Sequence, residues 1–143
     1  MKIGLIDVDS HNWPNLCLMK LSAYHKNQGN TVEWWTPDGT YDLVYKSRVF
    51  TDTYSKDTQV IPNAAHVICG GTGYGPGPNL PDAVEHTRPD YALYPQFPGI
   101  AYGFLTRGCP RNCPLSHFSD YPHNLRQGII LNNNKITSKN SSL

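Results

Sequence analysis

The sequence predicts an α/β fold, a parallel sheet with crossover helices. Three observations carry that expectation. A short apolar run at the start is followed by a segment with apolar residues at helical spacing, and then by a second strand-like run. A strand–helix–strand rhythm is read again beyond Tyr41. Glycine and proline fall at the points where the period changes. Strands joined in this way are right-handed parallel neighbours in nearly all known cases.

Lys2–Val8 reads as a buried strand through Ile3, Leu5, Ile6 and Val8, and it runs into Asp7-Val-Asp-Ser-His11. Pro14 suits the first turn of a helix, where its missing N–H is no loss. The helix is expected from Pro14 to Gln28, with Leu16, Met19 and Ala23 on one face and Cys17, Leu21 and Tyr24 beside them. Gly29 is placed to end it. Thr31–Trp35 is a second strand, with Trp34 and Trp35 pointing to opposite sides. Pro37-Asp-Gly39 is a turn. Tyr41–Tyr45 is a third strand ending near Ser47, Thr58–Ala64 a short helix, and His66–Cys69 a fourth strand. Gly70-Gly71-Thr-Gly73 follows, either a phosphate-cradling loop or a tight turn after a strand.

From Tyr74 to Pro98 the chain is crowded with proline and glycine. An irregular connector is expected there, with one helical turn over Asp82–His86 and with Tyr91 and Tyr94 docking it on the sheet. Ile100–Leu105 is again apolar and strand-like, and Thr106-Arg-Gly-Cys-Pro-Arg-Asn-Cys113 follows at once. Beyond His117 there is one apolar segment, Ile129–Leu131. The Asn-, Ser- and Lys-rich end has the composition of a disordered tail.

The chain of 143 residues is long enough for a core of its own. Its formal net charge is +1 with no basic block, which argues against a nucleic-acid surface. No run approaches the ~20 apolar residues of a membrane span. The first residues lack the length and cleavage site of a secretory signal. Four cysteines in such a chain read as cytosolic thiols, for which metal binding outranks disulfides. Cys17 and Cys69 lie in apolar contexts and are expected in the core.

Cys109 and Cys113 form a Cys-x3-Cys pair on a Gly/Pro-bent loop behind a strand-like run and an Arg107-Gly108 lead-in. This resembles the opening of the radical SAM superfamily core, a first barrel strand followed by Cys-x3-Cys-x2-Cys. The resemblance implies that Cys109 and Cys113 ligate a 4Fe–4S cluster and that S-adenosylmethionine binds its open iron. Arg107, Gly108 and Pro110 would shape the loop. The third cysteine is due at position 116, where this chain has Ser116, a poorer ligand for soft iron. A zinc set of Cys109, Cys113, His117 and His123 matches no common zinc spacing.

Residues 1–73 resemble the Rossmann-like, cobalamin-binding-type domain that precedes the barrel in many radical SAM proteins. Asp9-Ser-His11 is similar to the start of Asp-x-His-x-x-Gly, with Pro14 in place of the glycine. Ser47-Arg-Val49 stands where that family has Ser-x-Leu, and Gly70-Gly71 where it has a glycine pair. The resemblance implies cobalamin contacts from Asp9, His11, Ser47, Gly70 and Gly71, with His11 on cobalt and Asp9 polarising its other nitrogen. Read from the residues alone, His11 caps the following helix together with Ser10 and Asn12. Asp7 and Asp9 are a possible carboxylate pair or simply charges facing a helix N-terminus.

The expected organisation is therefore a Rossmann-like domain over 1–73 and a connector over 74–99. The first strand and incomplete cysteine loop of a missing barrel follow over 100–116, with a tail over 117–143. The abrupt departure from the family after Pro114 is what an out-of-frame or prematurely ended reading of a longer gene produces. A radical SAM-type iron–sulfur protein is the first functional expectation. A non-catalytic Rossmann-like binding or interaction domain is the second.

Overall fold

The computed structural model describes residues 1–10, 13–75 and 79–103, and the backbone of 131–132 and 135–136. The chain divides into two compact units, Met1–Phe97 and Pro98–Leu143. In the first, β1 (Lys2–Asp7), β2 (Thr31–Trp34), β3 (Tyr41–Ser47) and β4 (Ala64–Gly70) form one sheet in the order β2-β1-β3-β4. All its pairings are parallel. The expected α/β class with a parallel sheet is therefore present.

Helix α1 (Leu16–Asn27) links β1 to β2. It starts later than Pro14 because Asn15 is the cap, its Oδ1 accepting from the Leu18 N–H at 3.3 Å. It ends at Gly29, whose φ of 78° lets the chain leave the helical path. Its buried side is Leu18, Met19, Leu21 and Ser22. With Ile3 and Leu5 of β1, these apolar residues make the main core. Each such fully buried aliphatic side chain contributes about 1.5–3 kcal/mol. Cys17 falls on the outer side of the helix and Cys69 on an edge strand, so both are exposed rather than in the core.

The other two connections lack helices. Residues 35–40 alone carry the chain from β2 past β1 to β3, far shorter than the dozen or more residues usual for a parallel crossover. A turn helps, with the Gly39 N–H donating to the Thr36 carbonyl at 3.2 Å. Asn63 anchors it: its Nδ2 donates to the carbonyls of Thr36 (2.9 Å), Pro37 (3.2 Å) and Gly39 (2.7 Å). Trp35 Nε1 donates to Asn63 Oδ1 at 2.8 Å. Trp35 packs with Ile6, Tyr41 and Val44 on one face, while Trp34 meets the Tyr94 ring on the other, with centroids 5.3 Å apart.

The helix expected over Thr58–Ala64 does not form. Residues 58–63 are irregular and Ala64 already belongs to β4. Pro62, with β-branched Thr58, Val60 and Ile61 ahead of it, explains why. The segment is held by polar contacts instead, described below.

The Pro/Gly-rich stretch is less of a linker than its composition suggests. Helix α2 (Asp82–Glu85) and a 3-10 turn over Tyr91–Leu93 lie against α1. Val84, Leu93 and Tyr94 enter the main core, with Tyr91 packed against it. Lys20 pairs with Glu85 at 2.7 Å. Asp90 accepts from Ser22 Oγ at 2.7 Å and from Lys26 Nζ at 2.6 Å, and its N–H donates to the Met19 carbonyl at 3.0 Å.

In the second unit, Ile100–Gly103 lacks the expected strand and Ile100 is exposed. Phe104 and Leu105 lie outside the described residues. Toward the end of the chain, β5 (Leu131–Asn132) and β6 (Lys135–Ile136) form a short antiparallel pair, with Leu131 opposite Ile136. The other residues of the segment expected to be disordered lie outside the described residues. Among the described residues no helix is long and apolar enough to cross a membrane.

Asp90→Ala removes the acceptor for the fully buried Ser22 hydroxyl and the partner of Lys26, one of several ties between the connector and α1. It should cost about 1–3 kcal/mol, read as a shift in the urea midpoint. An unchanged midpoint would show that the Asp90 carboxylate does not help to hold the connector.

Candidate functional site

Register fixes what meets at the carboxyl edge. Asp7 lies beside Ser47, and Ser47 beside Gly70, so β1, β3 and β4 end in one row. Open α/β sheets bind ligands at this edge. The structure brings Asp9, Ser47, Gly70 and Gly71 to it. His11 lies outside the described residues, as do Cys109, Cys113 and Ser116.

Each side chain of this row is engaged. Asp9 Oδ1 accepts from the Val49 N–H at 2.9 Å, and Oδ2 accepts from the Phe50 N–H at 2.8 Å. Its carboxylate therefore holds the start of the loop after β3. Ser47 Oγ accepts from Asn15 Nδ2 at 2.8 Å, which ties β3 to the cap of α1. The same amide nitrogen reaches Ser10 Oγ at 3.4 Å. The cap of α1 is thus Asn15, not the Ser10–Asn12 group. Asp7 and Asp9 do not act as a carboxylate pair: Asp7 Oδ1 accepts from the Ser10 N–H at 3.1 Å and Oδ2 from Tyr94 Oη at 2.6 Å. Burial, and then that bond to Asp7, push the Tyr94 hydroxyl well above its ordinary pKa.

Two buried cations, neither singled out by the sequence reading, organise the rest. Lys46 and Arg48 are 4% and 5% exposed. Lys46 Nζ pairs with Asp57 Oδ1 and donates to the Gln59 carbonyl at 2.9 Å. Tyr74 Oη donates to the other oxygen of Asp57. Arg48 spreads its fork over three partners: Nη1 donates to Asp52 Oδ1 and to the Ser55 carbonyl (3.1 Å), and Nη2 to the Gly73 carbonyl. Its Cζ stands 4.3 Å from the Tyr74 ring centroid, a cation–π contact. Its Nε is buried without a hydrogen-bond partner among the described residues.

The glycine loop is shaped around Arg48. Gly71 has φ of 101°, and a Cβ there would come within 2.2 Å of the Arg48 carbonyl oxygen. A Cβ on Gly73 would lie 2.3 Å from the Phe50 carbonyl oxygen and 2.8 Å from Arg48 Cγ. The Gly73 N–H donates to the Arg48 carbonyl at 3.0 Å. Of the two expectations for this loop, the tight turn holds, as the 3-10 turn Thr72–Tyr74. A Cβ on Gly70 meets nothing within 4 Å.

Burial raises the Asp57 pKa, but the hydrogen bonds from Lys46 and Tyr74 outweigh it and leave the carboxyl below its ordinary range. Tyr74 moves the other way, raised by burial first and by its bond to Asp57 second. The signal for this network was present in the sequence. Lys46 and Arg48 follow the apolar run Leu43-Val-Tyr45 at the end of β3, and Asp52 and Asp57 come in the next loop.

Among the described residues no group of three or more His, Cys, Asp or Glu side chains could hold a metal ion. No family model, curated protein or solved structure matches the chain.

Asp57→Ala leaves the Lys46 ammonium buried with only a carbonyl partner. It should destabilise the protein by about 3 kcal/mol in urea denaturation. The wild-type pair also sets a pH dependence. The Asp57 pKa is lower folded than unfolded, so its stabilisation is present above the unfolded value of about 3.9 and is lost as pH falls through the folded one. The urea midpoint should fall as pH drops below about 5, and fall less in Asp57→Asn. Equal slopes in the two proteins would contradict this.

Proposed function

We propose that this chain is a radical SAM-type iron–sulfur protein whose cysteine loop follows an α/β module. The observation that carries it is Thr106-Arg-Gly-Cys-Pro-Arg-Asn-Cys113, a Cys-x3-Cys pair with an Arg-Gly lead-in and an apolar run before it. Supporting it is the parallel α/β sheet of residues 2–70, which is consistent with the kind of module the resemblance expects ahead of the cysteine loop. Cys109 and Cys113 would hold two irons of a 4Fe–4S cluster as thiolates. Ser116 or an external thiol would face the third. When bound, such a cluster supplies the electron for reductive cleavage of S-adenosylmethionine. The chain's own part would be to present both thiolates from one short segment, which the Gly108 and Pro110 positions in the sequence suit.

The Rossmann-like module has a separate role in this reading. Cobalamin is left out of it. Asp9 already accepts from the Val49 and Phe50 N–H groups and Gly71 leaves room for Arg48, so neither residue is assigned a further contact. The second reading, a non-catalytic binding or interaction domain, is favoured by Ser116 at the third ligand position.

Anaerobic reconstitution of the full chain with iron and sulfide separates the two. A brown protein absorbing near ~400 nm, bleached by dithionite and lost in Cys109→Ala/Cys113→Ala, is expected. A colourless, folded protein would overturn the iron–sulfur reading and leave the binding domain.

A further inference from the structure

Where α1 ends, one imidazole ties three parts of the first unit together. His25 lies half-buried in the last turn of the helix, between the rings of Tyr24 and Tyr45, whose centroids stand 5.3 and 5.4 Å from its own. Its Nε2 is 3.0 Å from Tyr45 Oη on β3, and its Nδ1 is 3.4 Å from Nδ2 of Asn30, just ahead of β2. Asn30 Oδ1 in turn accepts from the Met1 ammonium at 3.2 Å.

The donors fix the direction of this relay. An ammonium can only donate, so the Asn30 amide presents its oxygen to Met1 and its NH2 to His25. Nδ1 must then accept, which leaves the proton of the neutral ring on Nε2, donating to Tyr45 Oη. A second ring proton would enter at Nδ1 and face the amide NH2. Turning the amide over would satisfy His25 but set the NH2 against the Met1 ammonium. One amide oxygen cannot serve both cations.

The charged groups around α1 are committed elsewhere. Glu85 and Asp90 are taken by Lys20 and Lys26, and His86 meets the Asp82 carbonyl. Glu33 of β2 pairs with Lys2 beside Tyr41, in the other core cluster. Asp42 of β3 accepts from the Lys2 N–H, and His66 of β4 stands beside Leu43, not Tyr45. Burial holds the His25 pKa below its ordinary 6.5.

We propose that His25 is an acid-sensitive latch. Uncharged, it holds the end of α1 to β3 and, through Asn30, to the start of β1. A proton gained at Nδ1 sets the ring against the Asn30 NH2 and releases the turn of residues 28–31 that leads into β2. Because the folded pKa is the lower one, the latch is closed above the ordinary value of 6.5 and opens as pH falls through the folded one. The proposal is independent of the iron–sulfur reading.

NMR of the isotope-labelled full chain tests it. The ring nitrogens should show the Nε2–H tautomer at neutral pH, and His25 should titrate below 6.5. The Asn30 and Thr31 N–H groups donate to the His25 and Met1 carbonyls. Their protection should fall with that titration, by about tenfold for each unit between the midpoint and 6.5. His25→Gln should abolish this acid-dependent loss with unchanged far-UV circular dichroism. Asn30→Asp offers oxygen to both neighbours and should raise the His25 midpoint by about one unit or more. An Nδ1–H tautomer, a midpoint at or above 6.5, a midpoint unmoved by Asn30→Asp, or an equal acid-dependent loss in His25→Gln would each overturn the proposal.

Discussion

A guanidinium under two loops sets the form of the carboxyl edge. Arg48 leaves the end of β3 pointing into protein, where a cation is costly unless it is paired; its two terminal nitrogens are matched, while Nε finds no partner among the described residues. Its fork reaches Asp52 and Ser55 in the loop that follows β3, and Gly73 in the loop that follows β4. A planar, multi-donor group suits that task as a single ammonium does not. Its own backbone does the complementary work, the carbonyl receiving the Gly73 N–H in a space that only a residue without a Cβ leaves open. Lys46, two residues earlier, pins the middle of the same β3–β4 loop through Asp57 and Gln59. Where a doubly wound sheet would use a packed helix, this one uses two buried cations.

That substitution explains which parts of the fold were legible in the sequence. The strands were, because Ile3, Leu5, Val44 and their neighbours are apolar runs of strand length between glycine and proline. Helix α1 was, because Leu16, Met19 and Leu21 fall at helical spacing and Gly29 stops it, although the side it buries is Leu18, Met19, Leu21 and Ser22. The Asn15 cap was not singled out because Ser10, Asn12 and Asn15 are all capping residues by type, and only the backbone decides among them. The helix expected over 58–64 failed for a different reason. A crossover was due there, and β-branched residues before Pro62 could not supply it as a helix. The sequence shows the charges that hold the loop, but not that Lys46 and Arg48 turn inward, since the same residues at a strand end more often face water.

The candidate site shows the same division. Asp9, Ser47 and Gly70 do converge, because parallel register alone brings strand ends together. What they do there is visible only in coordinates. Asp9 holds Val49 and Phe50, and Ser47 answers Asn15. The cysteine loop rests on its motif, since Cys109 and Cys113 lie outside the described residues. The proposed function and the observed fold therefore rest on separate parts of the chain: the Cys109–Cys113 spacing in the sequence, and a sheet edge organised by its own charges.

Amide hydrogen exchange in Arg48→Met tests the role of that guanidinium most directly. Methionine keeps the buried volume but removes every donor. Protection should be lost together at Tyr54 and Ser55 after β3 and at Gly73 to Gly75 after β4, while α1 and β1 keep theirs. If the two loops respond independently, or keep their protection, Arg48 is a passenger and the edge is held by something else.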